Sequence, residues 1–175
     1  MKKGSRIKRK PLRAATGILG ASRGIRATGT KKPKQKKIKI KDVDTVFSRF
    51  IRLSHADQNG DVQCFTCDFK ASYKKLHAGH YISRYYKITR WNENNVKPQC
   101  MMCNIYKKGN AAIFRRNLVT LIGETAVQDM EGQIDHLVRG WGTRELLTPI
   151  FEEYTQKLSP FLHLTLTPTS ATLTV

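Results

Sequence analysis

Two pairs, Cys64-Phe65-Thr66-Cys67 and Cys100-Met101-Met102-Cys103, bracket the segment His77-Ala78-Gly79-His80, and the second pair runs straight into Asn104. Each Cys-x-x-Cys pinches a loop, and thirty-two residues separate the two pairs. That spacing can close one tetrahedral zinc site from Cys64, Cys67, Cys100 and Cys103, joining a His-bearing strand to an Asn-bearing helix. A disulfide pair or a redox Cys-x-x-Cys is the competing reading. The four cysteines are the only ones in the chain, and no secretory signal or bilayer-length apolar run is expected, so a reducing cytosol and metal ligation are favoured. A site of four sulfurs is structural and has no open position, so any chemistry needs a second metal or none.

Outward from this stretch, charge divides the chain. Residues 1–41 hold 16 of the 32 Lys/Arg and none of the 13 acids, with Gly17, Gly20, Gly24 and Gly29 among them. Such a segment cannot bury enough apolar area to offset ordering, so it is expected as a disordered basic tail. An organelle transit peptide would also be basic and acid-free, but the prevalence of Lys and the lack of a sustained amphipathic stripe weigh against it. The net charge of +19 concentrates phosphate polyanions and makes nucleic acid the expected partner; a merely sticky or ribosome-associated basic protein is the bland alternative.

Residues 42–159 read as the folded domain, and 160–175, alternating Leu and Thr around Pro168, as a flexible C-terminal tail. Val43, Val46, Phe47, Phe50, Ile51 and Leu53 recur at helical spacing after the acids Asp42 and Asp44, predicting a helix of about fifteen residues. Asp57-Gln58-Asn59-Gly60-Asp61 reads as a turn, because the terminal Glu of a calcium loop is missing. Residues 76–82 read as a strand and Ser83 to Pro98 as a long loop. Ala111–Leu121 and Glu124–Met130 read as helices, and Arg144–Leu158 as a last helix capped by Thr143 and kinked or restarted by Pro149. The fold class is therefore α+β, and a hydrophobic fraction of 39% allows only a modest core.

On a regular strand His80 and Ala78 share one face while His77 and Gly79 share the other, unless Gly79 marks a bulge. A histidine beside a cysteine knuckle serves as a structural group, a zinc ligand or a catalytic base. Arg84, Arg90, Lys107 and Lys108 follow closely and form a candidate DNA track; each alone is an ordinary surface charge. Tyr81, Tyr85, Tyr86 and Trp91 either stack on exposed bases or fill the core.

The ordered set Cys64-x2-Cys67, His77-Ala-Gly-His80-Tyr-Ile-Ser-Arg84, Arg90-Trp-Asn-Glu-Asn-Asn-Val-Lys-Pro-Gln-Cys100-x2-Cys103-Asn104 and Lys108-Gly-Asn110 resembles the HNH endonucleases. More closely, it is similar to the phage NinG (Rap) recombination protein family, over about Val43 to Leu158. The resemblance implies a small zinc-stapled ββα-metal core flanked by helices, and an endonuclease acting on branched recombination intermediates such as Holliday junctions. It implies His80 as general base and a catalytic Mg²⁺ or Mn²⁺ held in part by Asn104. Asn95 would orient the base. Many HNH strands carry Asp or His immediately before the base; Gly79 stands there, and His77 is the substitute ligand. The host bacterial cytoplasm is the expected location, and symmetric nicking of a junction would favour a homodimer. The alternative is a non-catalytic zinc-containing nucleic-acid-binding protein whose histidines are structural.

Overall fold

A computed structural model describes residues 37–133 and 144–166, all of which belong to one unit of the chain, Lys36–Val175. The basic tail up to residue 36, the expected cap Thr143 and residues 167–175 lie outside the described residues.

Helix α1 spans Ile40–Leu53 and buries Val43, Phe47, Phe50, Ile51 and Leu53 along one stripe, the spacing the sequence carries. At its start the Asp42 carboxylate accepts the Lys39 backbone N–H at 2.9 Å, meeting a donor that the helix leaves unpaired. Ile38 and Ile40 pack against the core, so the folded part begins inside the stretch that composition assigned to the tail. The turn at Asp57 is held by its own carboxylate, which accepts the N–H groups of Asn59 and Asp61 and pairs with Lys70 at 2.7 Å. Strands β1, Asp61–Gln63, and β2, Lys70–Ser72, then pair antiparallel around the first cysteine knuckle.

A second antiparallel pair joins β3, His77–His80, to β4, Val96–Gln99, with His77 opposite Gln99 and His80 opposite Val96. The register is one-to-one, so Gly79 makes no bulge. β4 takes over the end of the expected long loop from Val96; all four of its residues are buried, which a mixed Val-Lys-Pro-Gln string does not announce. A π-helical turn, Met102–Tyr106, takes in Cys103 of the second cysteine pair, and then come α2, Ala111–Ile122, and α3, Glu124–Gly132.

The last long helix, α4, Arg144–Leu158, continues through Pro149 without a restart. It packs on α1, where Phe47 meets Tyr154 edge-on with ring centroids 4.7 Å apart. Burying side chains such as Phe47, Leu147 and Leu158 contributes roughly 1.5–3 kcal/mol each, which together outweighs the roughly 3 kcal/mol cost of one interior proline. The expected flexible tail is corrected at its start: a 3₁₀ turn, Ser159–Phe161, leads into α5, Leu162–Leu166, and Leu164 is buried in the same core. Phe114, Leu118, Val127 and Met130 form a second cluster where α2 and α3 cover Ile82. The described part is thus α+β, with helices around two small sheets. No helix among the described residues is long and apolar enough to cross a membrane.

Candidate functional site

The two knuckles meet. The ligand atoms of Cys64, Cys67, Cys100 and Cys103 all lie within 4.8 Å of one another, and none is in a disulfide. Cys67 Sγ and Cys100 Sγ stand 3.7 Å apart; sulfurs bound at about 2.3 Å around a tetrahedral ion stand about 3.8 Å apart. Backbone amides of Cys100 and Cys103 donate to the sulfurs of Cys64 and Cys100 at 3.3 and 3.4 Å. Burial raises the Cys64 thiol, but the amides of Cys100 and Thr66 overcome that and bring it down to about 7. Burial pushes Cys67 up to about 12 and raises Cys100. One thiolate forms readily at Cys64, while Cys67 and Cys100 need a cation beside them, so the cluster can hold a metal ion.

The hairpin β3–β4 sits on this cluster and presents Ala78 and His80 to an open cleft of about 530 Å³. His80 Nε2 lies 3.1 Å from the Arg90 carbonyl, which can only accept, so this contact favours the tautomer with its proton on Nε2. Burial holds His80 below the ordinary imidazole range; the carbonyls of Arg90 and Ala78 offset this in part, while the charges of Arg90 and Arg84 add to it. The ring is therefore neutral at neutral pH.

Arg90 is corrected from a DNA contact to an internal strut. It is buried, pairs through Nε and Nη2 with both oxygens of Asp44 on α1, and donates from Nη1 to the Arg84 carbonyl at 2.6 Å. Burial would raise Asp44, yet the hydrogen bonds from Arg90 and Trp91 prevail and hold it below the usual carboxylate range. Asn95 is also internal: its Oδ1 accepts the Ile82 N–H at 2.7 Å, and its Nδ2 donates to the carbonyls of Ile82 and Thr89. It thereby staples the loop whose Arg90 carbonyl holds His80.

The opposite wall of the cleft comes from the turn after Cys103. Asn104, Ile105 and Lys108 line it, facing Ser83 and Arg84. Asn104 Nδ2 donates to His77 Nδ1 at 3.1 Å, so His77, which points away from His80, is tied to the cleft through Asn104. Lys108, Gly109 and Asn110 adopt φ of 49°, 84° and 50°, and three successive left-handed residues reverse the chain at the cleft's edge. Lys107 is exposed beside this wall without lining it.

Gly79 faces the other way, over Gln99. A Cβ at residue 79 would lie 2.1 Å from Gln99 Oε1, so a side chain at the position the resemblance would fill with Asp or His requires Gln99 to move. Gln99 itself donates to Thr66 Oγ1 and the Gly109 carbonyl at 2.9 and 2.8 Å, binding both knuckles to β4.

Of the aromatics, Trp91 is buried, Tyr81 stacks on Phe114 and bonds Glu131, and Tyr86 is half-buried. Tyr85 stands out at 73% exposure. The structure brings His80, Arg84, Asn104 and Lys108 to one cleft and keeps Arg90 and Asn95 behind it. Ser83 and Ile105 also line it; each lies beside a residue singled out from the sequence, but carries no chemistry of its own to mark it.

Residues 9–161 match the family model described as Bacteriophage Lambda NinG protein. The protein named Protein ninG of Escherichia phage lambda is 34% identical over 120 residues, covering 68% of this chain and 55% of the relative; that of Salmonella phage P22 gives the same figures. Protein ninG of Enterobacteria phage H19B is 30% identical over 107 residues, covering 61% of this chain and 50% of the relative. The chain thus spans about half the length of the curated relatives it matches. No solved structure matches it.

Proposed function

Because the chain belongs to the NinG family of bacteriophage proteins, we propose that it is a metal-dependent, structure-specific DNA endonuclease that cuts branched recombination intermediates in the cytoplasm of a bacterial host. The observation that carries this is the cleft: a half-buried histidine, an amide tied to a second histidine, and two cations, Arg84 and Lys108, face one space. The cysteine cluster, filled by a structural zinc, is the scaffold that fixes both walls, and the core around it is read as an HNH-like ββα-metal unit.

In this reading the phosphodiester enters between Arg84 and Lys108, whose charges neutralise the phosphate. His80 Nδ1 takes a proton from a water as its oxygen attacks phosphorus and the bond to one ribose oxygen breaks; that oxygen leaves and is protonated from solvent. The Arg90 carbonyl holds the ring and stabilises the imidazolium once formed.

The second histidine and the amide suit a divalent ion. His77 Nδ1 and the Asn104 amide stand 3.1 Å apart, close to the roughly 3 Å between neighbouring ligands of a small ion, and the amide's oxygen and nitrogen can exchange places. Held there, Mg²⁺ or Mn²⁺ would supply positive charge to the phosphate and the leaving oxygen.

The test is cleavage of a labelled four-way junction beside linear duplex and single strand, in Mg²⁺, Mn²⁺ or EDTA, with wild type and His80→Ala. Metal-dependent cutting of the junction that is lost in the variant supports the reading. Salt-sensitive binding with no cutting in any metal would make this a zinc-containing nucleic-acid-binding protein instead.

A further inference from the structure

Four exposed apolar side chains stand on the turn that carries Asn104. Met101, Met102, Ile105 and Tyr106 are 51%, 55%, 54% and 66% exposed. Their spacing is regular: Met101 and Ile105, and Met102 and Tyr106, are each four apart, so on a helical turn they pair into one ridge. The turn is widened to a π-helix, in which the Lys107 N–H reaches the Met102 carbonyl at 2.9 Å. It is also anchored, because Cys103 within it is buried in the sulfur cluster.

The surroundings say what covers such a ridge. No acid occurs between Glu93 and Glu124, and Lys107 and Lys108 follow the ridge directly, with Lys108 and Ile105 both lining the cleft. A partner must therefore combine negative charge with flat apolar faces. Nucleic acid does so only where its bases are unstacked, since a duplex hides those faces within its own stack.

We infer that the Met101, Met102, Ile105 and Tyr106 ridge is a wedge that seats against unstacked nucleobases at the branch point, and so selects branched DNA over duplex. This rests on the nuclease reading of the same cleft. The ridge sets which DNA is held, while His80 sets what happens to it. Base contact by one aromatic or apolar group is worth a change in affinity of about tenfold, enough to sort a branch from an arm.

The test uses the full chain without added divalent ion. A four-way junction carries 2-aminopurine at the branch point or within an arm, and wild type is compared with Met102→Ser/Tyr106→Ser and with Tyr106→Phe. Wild type should raise the branch-point emission, leave the arm unchanged, and bind the junction about tenfold tighter than duplex. The double variant should lose both effects while keeping its duplex affinity and zinc content, and Tyr106→Phe should keep them. Should the double variant lose zinc, Tyr106→Ser alone reads the same emission. A double variant that keeps the junction preference and the emission change overturns the wedge. So does ridge-dependent binding to phosphatidylglycerol vesicles with no emission change on DNA. Cutting is read separately: a wild type that cuts nothing in Mg²⁺ or Mn²⁺ defeats the nuclease reading, and the emission still decides the wedge.

Discussion

The side-chain amide of Asn104 stands 3.1 Å from His77 Nδ1, joining the turn after the second cysteine pair to the first residue of the strand that carries His80. In the proposed nuclease, two groups so placed would hold a divalent ion weakly until a phosphate adds its charge. His77→Ala should therefore raise the Mg²⁺ concentration needed for half-maximal junction cleavage by about tenfold, with zinc content unchanged. An unaltered Mg²⁺ titration would remove His77 from the ion's ligands.

His80 makes a prediction about pH. As the proposed base it works only when neutral, and burial keeps its proton affinity below that of a free imidazole, so cleavage should persist on the acid side of the ordinary imidazole pKa of about 6.5. His80→Ala should abolish cutting and leave junction binding within about twofold. A rate that falls with a midpoint above the free-imidazole value would contradict the environment described for this ring.

Arg90 and Lys108 should separate stability from binding. Arg90→Met leaves Asp44 partly buried without its partner and should cost about 2 kcal/mol in thermal or urea unfolding, a value reduced because Asp44 is one-third exposed. Lys108→Ala or Arg84→Ala should leave melting unchanged, weaken DNA binding, and lower the slope of log affinity against log salt by about one. If Arg90→Met altered the salt slope as they do, the strut assignment would be wrong.

Cys100→Ser removes one sulfur from the cluster and should release zinc and lower the melting temperature by more than about 10 °C. Metal analysis and calorimetry on the same sample decide it. Unchanged zinc and melting would defeat the structural site.

Gly79→Ala drives a methyl into Gln99 and should destabilise by about 1–3 kcal/mol. In a Gln99→Ala background the same change should cost far less, because the atoms it strikes are gone. Equal costs in both backgrounds would mean that Gln99 is not what excludes a side chain at residue 79.

The cysteine spacing made the sulfur cluster legible, and the stripe from Val43 to Leu53 made α1 legible, because both depend on residue type at fixed intervals. β4 was hidden for the opposite reason. Lys97, Pro98 and Gln99 are not core residues by type; they are buried because β3 covers them and Gln99 bonds Thr66 and Gly109. Arg90 was misread because its partner Asp44 lies 46 positions away, and no local pattern reports a pair at that range. Leu164 likewise looked like tail in a Leu/Thr alternation until tertiary packing buried it. His80 and Asn104 were picked out by residue type, but their place in one cleft and the link from Asn104 to His77 needed the fold.

Cys103 and Asn104 are adjacent, yet one side chain enters the sulfur cluster and the next faces the cleft. Reconstitution should therefore depend on the order in which metals return. In the proposed nuclease, protein stripped of every ion should regain cutting when zinc precedes magnesium, and stay inert when magnesium comes alone, since the hard ion would have no cleft to enter until the soft one had closed it.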